Sequence, residues 1–255
     1  MRDITETMAV PALLCALGAT LIVGSGLNIP LFLALQHFSA QLPDAFWSHA
    51  TLLGDALVTL VLLGAMAFRF PDLLPAGLLG GALTTLLVRT LKPTLDIERP
   101  LAVLGEHIHT IGPMLKTASF PSGHTTAAFL LAGVYALALR RDRLTALLFS
   151  TALLVAYSRI AVGAHWPADV LAGAAIGWGC AWAGWKLAQH WRWGKSMRGQ
   201  RVLAILFLVF SLLLFWLDSG YPQAFWLQML IALSGSLASL ANVWRTWRRP
   251  VSNAT

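Results

Sequence analysis

Long, uninterrupted apolar runs dominate the hydrophobic pattern of the chain. Short polar segments separate eight of them, at residues 7–43, 46–68, 73–88, 118–139, 144–158, 170–185, 202–217 and 225–244. Most approach the roughly 17 to 25 residues that a helix needs to cross a bilayer. Because the runs are continuously apolar and do not alternate, they indicate helices rather than a β-barrel. We predict an all-α fold, a polytopic transmembrane helical bundle.

The first run is longer than one span requires. No small-residue cleavage pattern follows it convincingly, so we interpret it as a retained signal anchor. Residues 28–43 either extend this span or lie at the membrane interface, and the sequence leaves both possibilities open.

The composition supports a membrane protein. Hydrophobic residues make up 57% of the 255 positions and charged residues 11%, which excludes ordinary soluble and disordered chains. Cys15 and Cys180 both lie inside apolar runs, so we interpret them as small buried side chains rather than a disulfide or metal ligands.

The net charge of +7 is explained by topology. Cytoplasmic loops are enriched in Lys and Arg, so we place the N-terminus, Arg69, Lys186 and the basic segments 140–143, 192–201 and 245–249 in the cytoplasm. Eight spans return the C-terminus to the same side. Five of the eighteen cations then remain outside, namely Arg89, Lys92, Arg99, Lys116 and Arg159. No basic domain stands apart from the membrane edges, so nucleic acid is not expected as a partner.

The basic linker at 192–201 divides the chain unequally. We predict a six-span core over residues 1–190, followed at 191–255 by the linker, two additional spans and a basic cytoplasmic tail. The last two spans carry no chemical motif, and we interpret them as an appended hairpin that serves packing or assembly.

Three polar segments are predicted at the outer face. They follow the third span, open the fourth and join the fifth to the sixth. Lys92, Arg99 and Arg159 would converge there as a receptor for a dense anion, because Arg binds phosphate oxygens in bidentate fashion and Lys adds a point charge. Ser122 and Gly123 precede or open a helix, whose free N–H groups and dipole also favour an anion.

Two histidines supply the chemistry at this face. Asp169 follows His165 by four residues at the start of a helix, so its carboxylate can reach the imidazole and fix its tautomer. The other ring nitrogen of His165 is then free to act as a nucleophile. His124 can protonate the leaving oxygen and later activate water. This arrangement indicates phosphoryl transfer through a phosphohistidine.

The three segments resemble the tripartite signature of the type-2 phosphatidic acid phosphatase family, which also includes vanadium haloperoxidases. The pattern is Lys, six residues, Arg-Pro; Pro-Ser-Gly-His; and Ser-Arg, five residues, His, three residues, Asp. Every fixed position is filled, by Lys92, Arg99, Pro100, Pro121, Ser122, Gly123, His124, Ser158, Arg159, His165 and Asp169. The motifs lie at 92–100, 121–124 and 158–169.

The resemblance implies a lipid phosphatase that needs no metal or other cofactor. His165 would be the nucleophile, Asp169 its partner and His124 the general acid and base. The phosphate would be held by Lys92, Arg99, Ser122, Gly123 and Arg159. The expected substrate is a lipid phosphate or diphosphate, with undecaprenyl diphosphate as the first choice, hydrolysed at the periplasmic face of a bacterial inner membrane. A lipid phosphotransferase and a non-catalytic lipid-phosphate binding or transport protein remain alternatives.

Other ionisable residues have weaker signals. Asp55 lies inside the second span, where a carboxylate is costly without a partner, so we expect it either to pair with Arg89, Lys92 or a hydroxyl or to influence the site directly. His107 and His109 form a His-x-His pair in an outer loop. Two ligands alone are a weak metal signal, and we interpret the loop as solvated and in contact with lipid headgroups.

Overall fold

The computed structural model describes residues 4–65, 70, 72–139 and 142–248, and within them it contains helices and no strand. The helices are α1 (Ile4–Gly24), α2 (Asn28–Ser39), α3 (Asp44–Leu52), α4 (Ala56–Ala65), α5 (Leu73–Leu95), α6 (Pro100–Leu104), α7 (Gly123–Leu139), α8 (Asp142–Ala161), α9 (Pro167–His190), α10 (Arg192–Lys195), α11 (Met197–Leu213) and α12 (Phe225–Arg248). Short 3₁₀ turns occupy Gly105–His107 and Pro222–Ala224. The predicted all-α bundle is confirmed.

Each of the eight apolar runs corresponds to one helix or to a pair of helices. Among the described residues, three helical segments are long and apolar enough to cross a bilayer by themselves, and five are if each bent pair counts as one span. The fourth run begins as a loop, and its helix starts only at Gly123. The remaining helices are shorter than a full span or less apolar, which agrees with runs at the short end of the spanning range.

The first two runs are broken helices. α1 and α2 meet at 110°, so residues 28–39 do not continue the first span. The break follows Gly24, and Gly26 has a φ of 71°, a conformation that glycine adopts without strain. α3 and α4 meet at 61°. Asp55 Oδ1 accepts the backbone N–H groups of Leu57 and Val58 and so caps α4 at this second break.

Asp55 therefore has a different partner from those expected. We expected Asp55 to pair with Arg89, Lys92 or a hydroxyl or to influence the site directly, whereas its carboxylate accepts hydrogen bonds from the start of α4. A helix N-terminus is a good partner for a carboxylate at membrane depth, because it presents unsatisfied N–H donors and a positive dipole end.

α9 lies at the centre of the bundle and packs against α1, α5 and α7. Glycines on these helices permit the close approach. A Cβ on Gly177 would lie 2.6 Å from the Thr126 carbonyl oxygen on α7, and one on Gly184 would lie 2.5 Å from the Ala76 carbonyl oxygen on α5. These contacts bring the helices that carry the polar motifs together.

Gly184→Ala is expected to lower the thermal stability of the detergent-solubilised protein. The new Cβ would meet backbone atoms of Ala76 and Gly80, which cannot move independently of α5. Overpacking of this kind costs about 1 to 3 kcal/mol. Gly179→Ala is the matched control on the same helix, because a Cβ there meets nothing within 4 Å. Equal melting temperatures for the two variants would contradict this packing.

The last two helices form a hairpin that packs on α4. The turn between α11 and α12 lies at the end of the bundle that holds the polar motifs. The start of α11 and the end of α12 lie at the other end and carry basic residues. There the Arg248 guanidinium lies 4.1 Å from the Trp244 ring centre and that of Arg201 lies 5.2 Å from the Trp247 ring centre. This is a typical interfacial arrangement. The predicted cytoplasmic residues Arg2, Arg69, Arg140, Arg141 and Arg249 lie outside the described residues.

Candidate active site

The three polar motifs meet at one end of the bundle. Lys92 lies in the last turn of α5, His124 in the first turn of α7, Arg159 in the last turn of α8 and Asp169 in the first turn of α9. His165 lies in the short turn between α8 and α9. The structure thus brings together the side chains that the sequence analysis selected.

Lys92 and Arg99 share a carbonyl of the loop that precedes α7. Lys92 Nζ donates to the Ala118 oxygen at 2.6 Å, and an Arg99 Nη donates to the same oxygen at 3.3 Å. Arg99 also donates to the carbonyls of Thr117 at 2.8 Å and Ala164 at 3.0 Å. Ala118 has a φ of 53°. These bonds use three of the five Arg99 N–H groups and one of the three on Lys92, so both side chains are fixed and retain donors.

Arg159 is 4% exposed, so its guanidinium is buried and does not extend to solvent. One terminal nitrogen donates to the Thr51 hydroxyl and, at 2.8 Å, to the Tyr221 hydroxyl. Nε is buried and has no hydrogen-bond partner within the described part of the chain. A buried N–H of a cation without a partner is costly, and an anionic ligand would satisfy it.

His165 and Asp169 form a buried pair, 3% and 2% exposed. His165 Nδ1 lies 3.4 Å from Asp169 Oδ2. The same oxygen accepts the Ser119 hydroxyl at 2.5 Å and the Trp166 backbone N–H at 2.9 Å. Pro167 opens α9 and starts the helix that places the carboxylate below the imidazole. The pair has the geometry that the four-residue spacing predicts.

The turn that carries His165 is held on several sides. The backbone N–H of His165 donates to the Arg159 carbonyl at 3.1 Å. The Trp166 indole donates to the Glu98 carbonyl at 2.7 Å and its ring packs edge-on against Phe32, with ring centres 5.2 Å apart. A pre-positioned imidazole is what a nucleophile requires.

Ser122 and Gly123 open α7, as predicted, but the backbone N–H of Ser122 is already used. It donates to the Asp169 carbonyl at 3.0 Å, and the Ser122 hydroxyl accepts the Thr125 hydroxyl at 3.0 Å. The first of these bonds joins the start of α7 to the start of α9, whereas the second lies within the first turn of α7. The backbone N–H of Ser122 therefore links the second motif to the third.

His124 faces a cavity of about 280 Å³ between α4, α5 and α7, lined in part by Asp55 and Arg89. The side chains of His165, Arg159, Arg99 and Lys92 all lie close enough to act electrostatically on the His124 imidazole. The two histidines therefore lie at the same end of the bundle, near the same three cations.

The electrostatic environment of His165 favours the neutral imidazole. Burial lowers its pKa well below 6.5, and the positive charges of Arg159, Arg99 and Lys92 lower it further. A neutral ring keeps the lone pair that attack on phosphorus requires. The lowered pKa means that this lone pair persists at pH values at which an exposed histidine is protonated.

We expect the His165 imidazole of the ligand-free protein to titrate below pH 6.5. The pKa of His165 is lowered because burial and three nearby cations all disfavour the protonated form. NMR of histidine-labelled protein measures this titration, and the peak absent from the His165→Asn spectrum assigns it. A midpoint at or above pH 6.5 would contradict the described environment.

Three contributors escaped the sequence analysis. Ser119 precedes the second motif by two residues. The one sequence signal for it was that a buried carboxylate such as that of Asp169 needs hydrogen-bond donors. Thr51 lies on α3 and Tyr221 in the turn of the appended hairpin. No spacing rule connects either residue to Arg159, because both contacts depend on how distant helices pack.

The His-x-His loop makes a different contact from a metal site. His109 Nε2 lies 2.9 Å from Asp44 Oδ1, and the His109 carbonyl accepts from Gln36 at 2.8 Å. Within the described ranges, no group of three or more His, Cys, Asp or Glu side chains could hold a metal ion. Cys15 and Cys180, which are also described, are free thiols.

The motif region matches a known family. The model of the PAP2 superfamily matches residues 74–193, a range that includes all three motifs. The chain is 38% identical over 78 residues to the undecaprenyl-diphosphatase BcrC of Bacillus subtilis, covering 31% of this chain and 39% of that protein. It is 34% identical over 100 residues to a lipid A 1-phosphatase of Rhizobium etli, covering 36% and 40%. The chain spans about two fifths of the length of these curated relatives.

Two solved structures share the fold. The crystal structure of Aquifex aeolicus LpxE has a TM-score of 0.57 and 36% identity, and the match covers 63% of this chain and 95% of that one. A transmembrane PAP2 type phosphatidylglycerolphosphate phosphatase from Bacillus subtilis has a TM-score of 0.56 at 21% identity, with 73% and 98% covered, and shows likeness of fold alone. The apolar helices and these neighbours identify an integral membrane protein, and the chain belongs to the PAP2 superfamily.

Proposed function

We propose that the protein is a membrane phosphatase that hydrolyses a lipid phosphate or diphosphate through a phosphohistidine. The observation that carries the proposal is the buried His165–Asp169 pair in one site with Lys92, Arg99 and Arg159. Binding an anion requires the cations only. An imidazole with a carboxylate at Nδ1 is the additional feature that nucleophilic catalysis requires.

In the first step, the lone pair on His165 Nε2 attacks phosphorus and the bond from phosphorus to the lipid-side oxygen breaks. Asp169 holds the Nδ1 proton and stabilises the positive charge that develops on the ring. His124 gives its proton to the leaving oxygen as general acid. The lipid alcohol or lipid monophosphate departs, and the phosphoryl group remains on His165.

In the second step, His124 takes a proton from water, and the resulting oxygen nucleophile attacks the phosphohistidine. The bond from nitrogen to phosphorus breaks, and inorganic phosphate leaves with the lone pair returned to Nε2. Lys92, Arg99 and Arg159 neutralise the charge on the phosphoryl oxygens in both steps, together with donors at the start of α7 such as Gly123. Ser122 supports this start of α7 through its bond to Asp169.

Undecaprenyl diphosphate is the first candidate substrate. Its supports are the similarity to an undecaprenyl-diphosphatase and the position of the site at one end of an apolar bundle, where a lipid tail stays in the membrane while its phosphate enters the pocket. The phosphate of lipid A at position 1 is the second candidate, because two relatives are lipid A 1-phosphatases.

We further propose that the site faces the periplasm from a bacterial inner membrane, with both termini in the cytoplasm. Lys186 lies near the end of α9 that is remote from the motifs, and Arg192, Lys195 and Arg198 follow that end. The positive-inside rule places that end in the cytoplasm.

The test is release of inorganic phosphate by the purified protein in detergent with a chelator present. The panel comprises undecaprenyl diphosphate, lipid A, phosphatidylglycerol phosphate and phosphatidic acid. Chelator-resistant release from any of them supports a phosphatase, and the largest kcat/KM identifies the substrate. Binding without release would favour a lipid-binding or transport protein, whereas phosphate recovered on a second lipid would favour a phosphotransferase. Loss of all release in chelator would contradict the metal-free mechanism.

A further inference from the structure

The turn between α11 and α12 reaches into the phosphatase site. Tyr221 lies in this turn, 5% exposed, and its hydroxyl accepts a hydrogen bond from Arg159 at 2.8 Å. The match to the family model ends at residue 193, so Tyr221 lies outside the matched region. The appended hairpin is therefore in direct contact with a proposed phosphate-binding residue.

The turn is fitted closely to the loop that precedes the second motif. Gly112 has a φ of 81°, and a Cβ on it would lie 2.5 Å from Cε1 of Tyr221. A Cβ on Gly220 would lie 2.5 Å from Cγ of Pro113. Asp218 Oδ1 accepts the Gly220 backbone N–H at 2.8 Å and tightens the turn.

A second contact anchors the turn to α3. The Ser48 hydroxyl donates to Gln223 Oε1 at 2.6 Å. α3 also carries Thr51, the other hydroxyl that accepts from Arg159. The two hydroxyls take both hydrogens of one terminal guanidinium nitrogen, so they set the rotation of the whole planar group.

These two bonds also fix the direction of the Arg159 Nε–H, which lies on the other edge of the guanidinium. Arg159 Nε is buried and unpartnered within the described residues. With one terminal nitrogen held by two hydroxyls, Nε cannot turn toward another protein acceptor. The guanidinium is thereby pre-organised for a phosphate oxygen. Substrate binding does not have to order it, so the entropic cost of binding is smaller.

We propose that Tyr221 is a positioning residue of the active site, through which the appended hairpin orients Arg159 for the phosphoryl group. The inference rests on the proposed phosphatase function and deepens it. It assigns the last two helices a role in catalysis beside the packing role that the sequence indicates. Tyr221 acts through Arg159 and is not assigned a contact with substrate.

The test is Tyr221→Phe, which keeps the ring against Gly112 and removes only the hydroxyl. A hydrogen bond to a charged group contributes enough that we expect about a tenfold loss of kcat/KM for lipid phosphate and a similar weakening of inhibition by orthovanadate. Tyr135→Phe is the matched control, because it removes another buried tyrosine hydroxyl, one that donates to the Leu62 carbonyl at 2.6 Å. It should leave both quantities unchanged.

A double-mutant cycle separates positioning from a merely structural role. In an Arg159→Lys background the guanidinium that Tyr221 orients is absent. Adding Tyr221→Phe should then lower kcat/KM by less than about twofold. The same tenfold loss in both backgrounds, or full activity of Tyr221→Phe beside an active parent, would overturn the inference and leave the phosphatase proposal intact. An inactive parent would instead refute the proposed function.

Discussion

His165→Asn is expected to abolish phosphate release, lowering kcat by about 10⁴-fold or more. Asparagine retains a polar side chain of moderate size, but it has no nitrogen lone pair that can attack phosphorus. The ring it replaces is buried and held against Asp169. Single-turnover assays with radiolabelled lipid phosphate measure the loss, and a labelled phosphohistidine should be trapped on the parent protein and not on the variant.

His190→Asn is the matched control for this variant. His190 lies at the opposite end of α9, is exposed, and has Nδ1 3.1 Å from the Lys186 carbonyl oxygen. It should retain parental activity and melting temperature. If His165→Asn released phosphate at the parental rate, His165 would not be the nucleophile and the phosphohistidine mechanism would fall.

The helical architecture was predictable because membrane burial leaves a strong local signal. A run of apolar residues that is long enough to cross a bilayer has few alternatives to a helix. The 110° bend between α1 and α2 was harder to predict, because the mostly apolar composition of residues 28–43 fits either direction of the second helix. Gly24 and Gly26 lie at the break, but an apolar sequence does not specify the angle at which a helix resumes.

The loop before α7 shows where tertiary contacts override an apolar pattern. The fourth apolar run begins at residue 118, whereas its helix begins at Gly123, where the second polar motif predicts a helix start. Other hydrogen bonds hold the intervening loop. The Ser119 backbone N–H donates to the Ile97 carbonyl at 2.8 Å, and the Ala118 carbonyl accepts from Lys92 and Arg99. These partners are distant in sequence, so local propensity could not reveal them.

The candidate site divides in the same way. The motif residues could be selected from the sequence because phosphate chemistry demands cations, an imidazole and a carboxylate at particular spacings. The supporting residues could not, since a hydroxyl such as that of Tyr221 has no chemical signature until the helices are packed. Whether the selected residues perform their proposed roles stays a prediction that the substitutions test, as does the division of the chain near residue 190.

Asp169→Asn is expected to lower kcat by about 10² to 10⁴-fold while changing KM and orthovanadate inhibition by less than about threefold. Asp169 Oδ2 lies 3.4 Å from His165 Nδ1 and accepts from Ser119 and Trp166. An amide can neither stabilise an imidazolium by charge nor fix the tautomer that leaves Nε2 unprotonated. The cations that bind the phosphate keep their own partners, which are backbone carbonyls for Lys92 and Arg99.

The split between turnover and binding distinguishes this role from a structural one. Asp72→Asn is the matched control, since Asp72 is exposed and lies 3.8 Å from Lys195 at the other end of the bundle, so it should behave as the parent does. Equal losses of kcat and of orthovanadate affinity in Asp169→Asn would mean that the carboxylate organises the phosphate pocket as a whole. Unchanged kcat would mean that His165 is oriented without it, by the backbone bonds of its own turn.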